Sequence, residues 1–244
     1  MDRRLLTVVD DDDPNAWRVL AAAMALAPLL GAAVDTVHVT SGAVPTEVLL
    51  REARVPEVVA MVTHGRAPDD HVSGLVLDVL CRAARPVVVI PPRGAPPHGI
   101  QRVLIPLDGS GATTRAVAEL MRDRAVERNE LIVLHVFDDG DFPAYADQVV
   151  HEVEAWEREF LERYSPVAGE QVRLESRVGE VAKTVRAVAE ELDVDLVVVA
   201  WHQDLTHSDA EVVTELLVHG DIPLVLLPLA DAEQDDNHDD PAGG

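Results

Sequence analysis

Cysteine is nearly absent: Cys81 is the only one, so no intrachain disulfide can form. Aromatic residues make up 3% of the 244, so aliphatic side chains must fill any core. Basic residues are scarce, 20 Lys and Arg against 44 Asp and Glu, for a formal charge of −24. A surface of that sign repels phosphate backbones, which excludes nucleic acid as a partner. It also disfavours free anionic ligands unless a pocket compensates locally. No apolar run is long enough for a bilayer. The longest, VLAAAMALAPLLGAAV at 19–34, is 16 residues and is interrupted by Pro28 and Gly31, whereas a spanning helix needs roughly 20. No membrane association is expected. The start, MDRRLLTVVD, enters a strand pattern at once and lacks a signal-peptide layout. A cytoplasmic protein is the expectation.

What the chain does contain is aliphatic: 48% of its residues are apolar. They are arranged twice over. RLLTVVD at 4–10 matches RVLIPLD at 102–108, and DTVHV at 35–39 matches IVLHV at 132–136. VVAMVTH at 58–64 matches LVVVAWH at 196–202, and PVVVIP at 86–91 matches PLVLLP at 223–228. Asp10 pairs with Asp108, His38 with His135, His64 with His202 and Pro86 with Pro223. The offset grows between the second and third pair, so the first half lacks a piece that the second half has.

The second half alternates strands with helical stripes. Strands are expected at 102–107, 131–137, 171–177, 195–201 and 223–228. Helices are expected near 111–127, 144–164 (Val149, Val153, Trp156, Phe160, Tyr164), from 180 on (Val181, Val185, Val188, Leu192) and near 209–219. Strand 195–201 is nearly all apolar, as for a strand buried on both faces. This alternation implies a doubly wound parallel sheet. The expected organisation is a truncated α/β domain at 1–92, a Pro/Gly linker at 93–100, a complete domain at 101–230 and an acidic disordered tail at 231–244. The first domain lacks one helix and one strand.

The order V-L-I-P-x-D-G-S, then L-x-x-L-H-V, then D-L-V-V-V-x-x-H, then a proline-led last strand resembles the universal stress protein (UspA) family. The duplication resembles a tandem member. The resemblance implies two Rossmann-like domains with sheet order 3-2-1-4-5, whose last strands meet, in dimers, at a two-fold. It also implies a nucleotide pocket: an Asp at the end of the first strand, and a G-x2-G-x9-G-[S/T] loop after the fourth. Glycines there let backbone N–H groups approach phosphates, and the next helix N-terminus favours negative charge.

Only remnants of such pockets are legible: Asp10, Gly65, Ser73 and Gly74 in the first half, and Asp108, Gly109 and Ser110 in the second. The second-half loop, AWHQDLTHSDAE at 200–211, contains no glycine, and the family's Gly-Ser pair falls on Ala210 and Glu211. In the first half Pro68 stands where the second glycine should, and Pro has no N–H to offer. ATP and AMP are therefore not expected as cofactors, although a nucleotide-binding sensor is the first alternative and a nucleotide-dependent enzyme the second. The bland account of Asp108-Gly109-Ser110 is a strand-to-helix turn capped by Ser110.

Other chemistry is thin. The run Asp10 to Asp13 reads as a solvated capping loop. His64, Asp69 and His71 on one loop, and His202, Asp204, His207 and Asp209 on its counterpart, have the donor types of a transition-metal site. Their spacing matches no recognised ligand pattern, so no metal site is expected. Ser110 has no evident base. Cys81, in VLDVLCRAARP, reads as buried filler. The expected function is non-enzymatic: a stress-response or regulatory interaction module. The missing strand would make residues 35–40 a bare sheet edge with open apolar surface beside Val37 and Val39. A homodimer or another protein, docking through the first half, is the expected partner. Otherwise SGAVPTEVLL at 41–50 folds back over the gap.

Overall fold

The computed structural model describes residues 3–40, 46–55, 58–64, 74–91, 93–94, 97–121, 129–137, 172–207 and 209–229. The first half runs β1 (Arg4–Asp10), α1 (Ala16–Leu30), β2 (Ala33–Val39), α2 (Thr46–Ala53), β3 (Val58–His64), α3 (Gly74–Arg82) and β4 (Val87–Ile90). The second runs β5 (Arg102–Pro106), α4 (Gly111–Met121), β6 (Glu130–Phe137), β7 (Val172–Val178), α5 (Val181–Glu191), β8 (Leu196–Trp201), α6 (Asp209–His219) and β9 (Leu224–Pro228). The helix expected at 144–164, the second part of that expected at 111–127, and the acidic tail lie outside the described residues.

All nine strands among the described residues join one sheet, in the order β2-β1-β3-β4-β9-β8-β5-β6-β7. Within each half the pairing is parallel; only β4 and β9 run antiparallel. The two expected sheets are thus one continuous sheet. Its centre is the junction where the last strands of the halves meet, Val88 opposite Val225. Burial follows position. Every residue of β4 and β8 is buried, while the end strands β2 and β7 are mostly half-exposed. A central strand covered on both faces must be apolar on both, which is why VVVI and LVVVAW show no alternation.

One face carries α1 and α4, whose Val19, Leu26 and Val117 pack on Leu5, Val88 and Ile105. The other carries α2, α3, α5 and α6, which share a cluster with Leu6, Val87, Val199 and Trp201. Long-range polar contacts beyond the sheet join the second half to the first, and the first half to the linker. The Gln203 amide donates to the carbonyls of Leu80 and Ala83, at 2.7 and 2.9 Å. The Arg18 guanidinium donates to the carbonyls of Arg93 and Gly94. Gly94 is a glycine for two reasons: its φ is +78°, and a Cβ there would lie 2.6 Å from the Asp221 carbonyl.

The short half is as expected at its edge. Its described strands order as β2-β1-β3-β4, and β2 pairs with β1 alone. The expectation of open apolar surface beside Val37 and Val39 is corrected. Val39 is buried and Val37 packs against the same cluster as Leu49 and Leu50 of α2. Residues 46–50 open that helix, so part of the stretch that could fold back does cover this face. Among the described residues, exposed large apolar side chains are found at Val178, Val181 and Leu205, and three more line up on α1. Trp17, Leu20 and Met24 are 56%, 41% and 62% exposed, one above another on the helix.

Candidate functional site

β1 ends in Asp10, and Asp108 stands two residues beyond β5; each aspartate folds back on its own turn. The Asp10 Oδ1 accepts the Asp12 amide at 3.0 Å. The Asp108 Oδ1 accepts the Ser110 amide at 2.8 Å and the Thr113 hydroxyl at 2.7 Å. Gly109 has φ +84°, which explains the glycine in this turn. The Ser110 Oγ accepts the Thr113 amide at 3.2 Å, the helix cap expected for α4. In the first half, Gly74 is the first residue of α3, whereas Gly65 and Ser73 lie outside the described residues, as do Pro68, Asp69 and His71.

The loop between β8 and α6 is where the resemblance puts phosphates. There the chain supplies its own anion. The Asp209 Oδ2 accepts the His202 amide at 2.8 Å and meets the His202 Nδ1 at 2.9 Å. The other oxygen, Oδ1, meets the His207 Nδ1 at 2.8 Å. A carboxylate only accepts, so both rings carry their proton on Nδ1. The two rings stack with centroids 4.0 Å apart and a 34° tilt. The Ala210 amide, at the start of α6, donates to the His207 carbonyl at 3.0 Å. The Asp204 carboxyl accepts the Thr206 amide and hydroxyl, at 2.9 and 2.8 Å. Those bonds, and His207 nearby, hold it below the usual carboxylate range. Beside the loop an open groove of about 490 Å³ is lined by the carboxylates of Glu180, Glu211 and Glu215.

The sequence pattern did not foresee that His202 and His207 share one carboxylate. A signal existed and was noted: four ligand-type side chains, His202, Asp204, His207 and Asp209, fall within eight residues. Cys81 is half-buried rather than buried. Burial, with Asp78 and Asp204 nearby, pushes its thiol pKa up, the opposite of what a nucleophile needs.

A model of the universal stress protein family matches residues 99–228, more than half of the chain. The chain belongs to the universal stress protein family. Solved structures agree on the fold. A functionally unknown protein from Pseudomonas aeruginosa PAO1 is 16% identical with a TM-score of 0.62, covering 93% of each chain. A universal stress protein from Archaeoglobus fulgidus is 15% identical with a TM-score of 0.56, covering 93% of this chain and 97% of its own. At these identities the likeness is one of fold. No curated relative matches the chain. Among the described residues, no helix of this universal stress protein is long and apolar enough to cross a membrane.

Proposed function

We propose that this chain is a tandem, non-enzymatic universal stress protein of the cytoplasm, a regulatory interaction module whose pockets take neither ATP nor AMP. The observation that carries the proposal is Asp209. Its carboxylate stands at the start of α6, where the family's phosphate loop would hold an anion, and already takes the His202 amide. Glu211 follows in the same first turn. A phosphate oxygen brought to about 4 Å from one such carboxylate meets a repulsion of about 4 kcal/mol at an effective dielectric near 20. That is on the order of a thousandfold in affinity. Calorimetric titration of the full chain with Mg-ATP should therefore give no micromolar isotherm. A clear isotherm that Asp108→Ala or Asp10→Ala abolishes overturns the proposal.

The interaction surface is assigned to α1. Along the helix the only charged residue is Arg18, and that side chain is engaged with the carbonyls after β4. The matched helix in the second half is different. Its exposed positions are Gly111, Arg115 and Glu119, and Arg115 and Glu119 align with Trp17 and Ala21. The position of exposed Trp17 thus carries an arginine in the second half. Exposed Asp11 and Asp12 precede α1, and the whole chain is strongly acidic. The occupant this favours is a protein segment with apolar anchors flanked by Lys or Arg, because a second copy would bring another charge of −24. A synthetic amphipathic Leu/Lys helix is a suitable probe. Trp17→Ser and Met24→Ser should each weaken its binding about tenfold. Unchanged affinity in both variants sinks the assignment. Self-association in light scattering that these substitutions abolish would give the face to a second copy instead.

A further inference from the structure

We propose that His202, His207 and Asp209 form a site for a first-row divalent metal ion, with zinc the first expectation. One ligand atom from each of the three lies within 4.8 Å of those of the other two. The tertiary fold places them. His202 follows the last residue of β8, and Asp209 opens α6. The intervening turn reverses at Gln203, whose φ is +60°. Two imidazoles and a carboxylate are the donor set that zinc shares with its neighbours in the first transition row, and three protein ligands leave a position for water.

A tetrahedral zinc ion with ligand bonds near 2.0–2.2 Å holds its ligand atoms about 3.3 Å apart. The rings and the carboxylate already sit 2.9 and 2.8 Å apart through hydrogen bonds. The two rings contact different oxygens, Oδ2 and Oδ1, so exchanging the two Nδ1 protons for one ion asks these contacts to open by about half an ångström while the ligand set, now within 4.8 Å, gathers to a mutual separation of about 3.3 Å. Each ring then carries its proton on Nε2, so neutral imidazoles bind without net proton loss.

The surroundings hold the ligands in place, as outer-shell groups do in metal sites. The His202 amide orients the Asp209 carboxylate from its own backbone. Gln203 anchors the turn to the end of α3 through two carbonyls. Thr206 fixes Asp204, a second anion, beside His207. The whole chain, at −24, attracts cations at long range. The three ligands are only partly exposed: side-chain exposure is 35% at His202, 45% at His207 and 19% at Asp209. An ion can reach them, yet the carboxylate is largely shielded.

The test is titration of the chelator-stripped, dialysed full chain with Zn²⁺ alone against a competing indicator. Co²⁺ titration followed by visible absorption provides a second readout. One tight equivalent per chain is expected, with the intense absorption of four-coordinate cobalt. His207→Ala removes a ligand from a half-exposed position, so circular dichroism should show an intact fold. Asp209→Asn keeps the shape and removes the charge. Each should weaken binding at least about a hundredfold. The chain has ten histidines and 44 carboxylates, so loss in these variants distinguishes the site from diffuse surface binding. Less than a tenth of an equivalent in the unaltered protein overturns the proposal. So does a tight equivalent that both variants retain, which would place the ion elsewhere.

Discussion

Replacing Val88 and Val225 together by lysine is expected to abolish cooperative folding, or to part the two halves. The two valines are 0% and 1% exposed and stand directly opposite one another where β4 meets β9. Each belongs to the cluster that also holds α1 and α4. The double change removes two buried valines, worth about 1.5–3 kcal/mol each. It also places two ammonium groups face to face in a dry sheet, at several kcal/mol per ion even after relaxation. The sum is comparable to the whole stability of a typical domain, about 5–15 kcal/mol. Thermal melting by circular dichroism, with the hydrodynamic radius from light scattering, reads both outcomes. Val88→Ala is the control, with a cost of about 2 kcal/mol and no change in size. An unaltered melting curve and radius in the double-lysine protein would mean that the β4–β9 junction is not what holds the halves together.

The two tryptophans among the described residues should respond in opposite ways. Trp201 is 1% exposed, ends β8 and sits in the cluster under α2, α3, α5 and α6. Trp201→Ala should cost about 3–5 kcal/mol through lost burial and the cavity left behind. For a chain of this size that corresponds to a fall of roughly 10 °C in melting temperature. His202, the next residue, should lose its fixed approach to Asp209, so the metal site proposed above should weaken with it. Trp17 is 56% exposed, and Trp17→Ala should change stability by no more than about 0.5 kcal/mol. A loss below 1 kcal/mol at Trp201 would contradict its place in the core. A large loss at Trp17 would contradict the free face on α1.

Much of the fold is legible in the residues. A run such as LVVVAW, nearly all apolar, reads as a strand buried on both faces, and the alternation of such runs with helical stripes points to parallel pairing. The repeat made β4 and β9 equivalent, and the family resemblance implied that such strands meet. Of the site, the pattern showed what was missing: no glycine at 200–211, and Glu211 in place of a small residue.

Two features stayed out of reach. In α1, AWRVLAAAMALAPLL is apolar on every side, so periodicity cannot say which flank is covered. Only the sheet's position buries Val19, Ala22, Ala23 and Leu26 and leaves Trp17, Leu20 and Met24 outside. His202, His207 and Asp209 are spaced five and two residues apart, and no single period, helical or strand, places all three on one face. Chemistry and periodicity along the chain therefore determined the strands, the parallel sheet, the repeat and the absence of glycine from residues 200–211. Tertiary structure decided which apolar side of α1 faces water and brought two histidines to one carboxylate. The reason is that both depend on where the chain turns in space: over the sheet for α1, and through the Gln203 reversal for the loop.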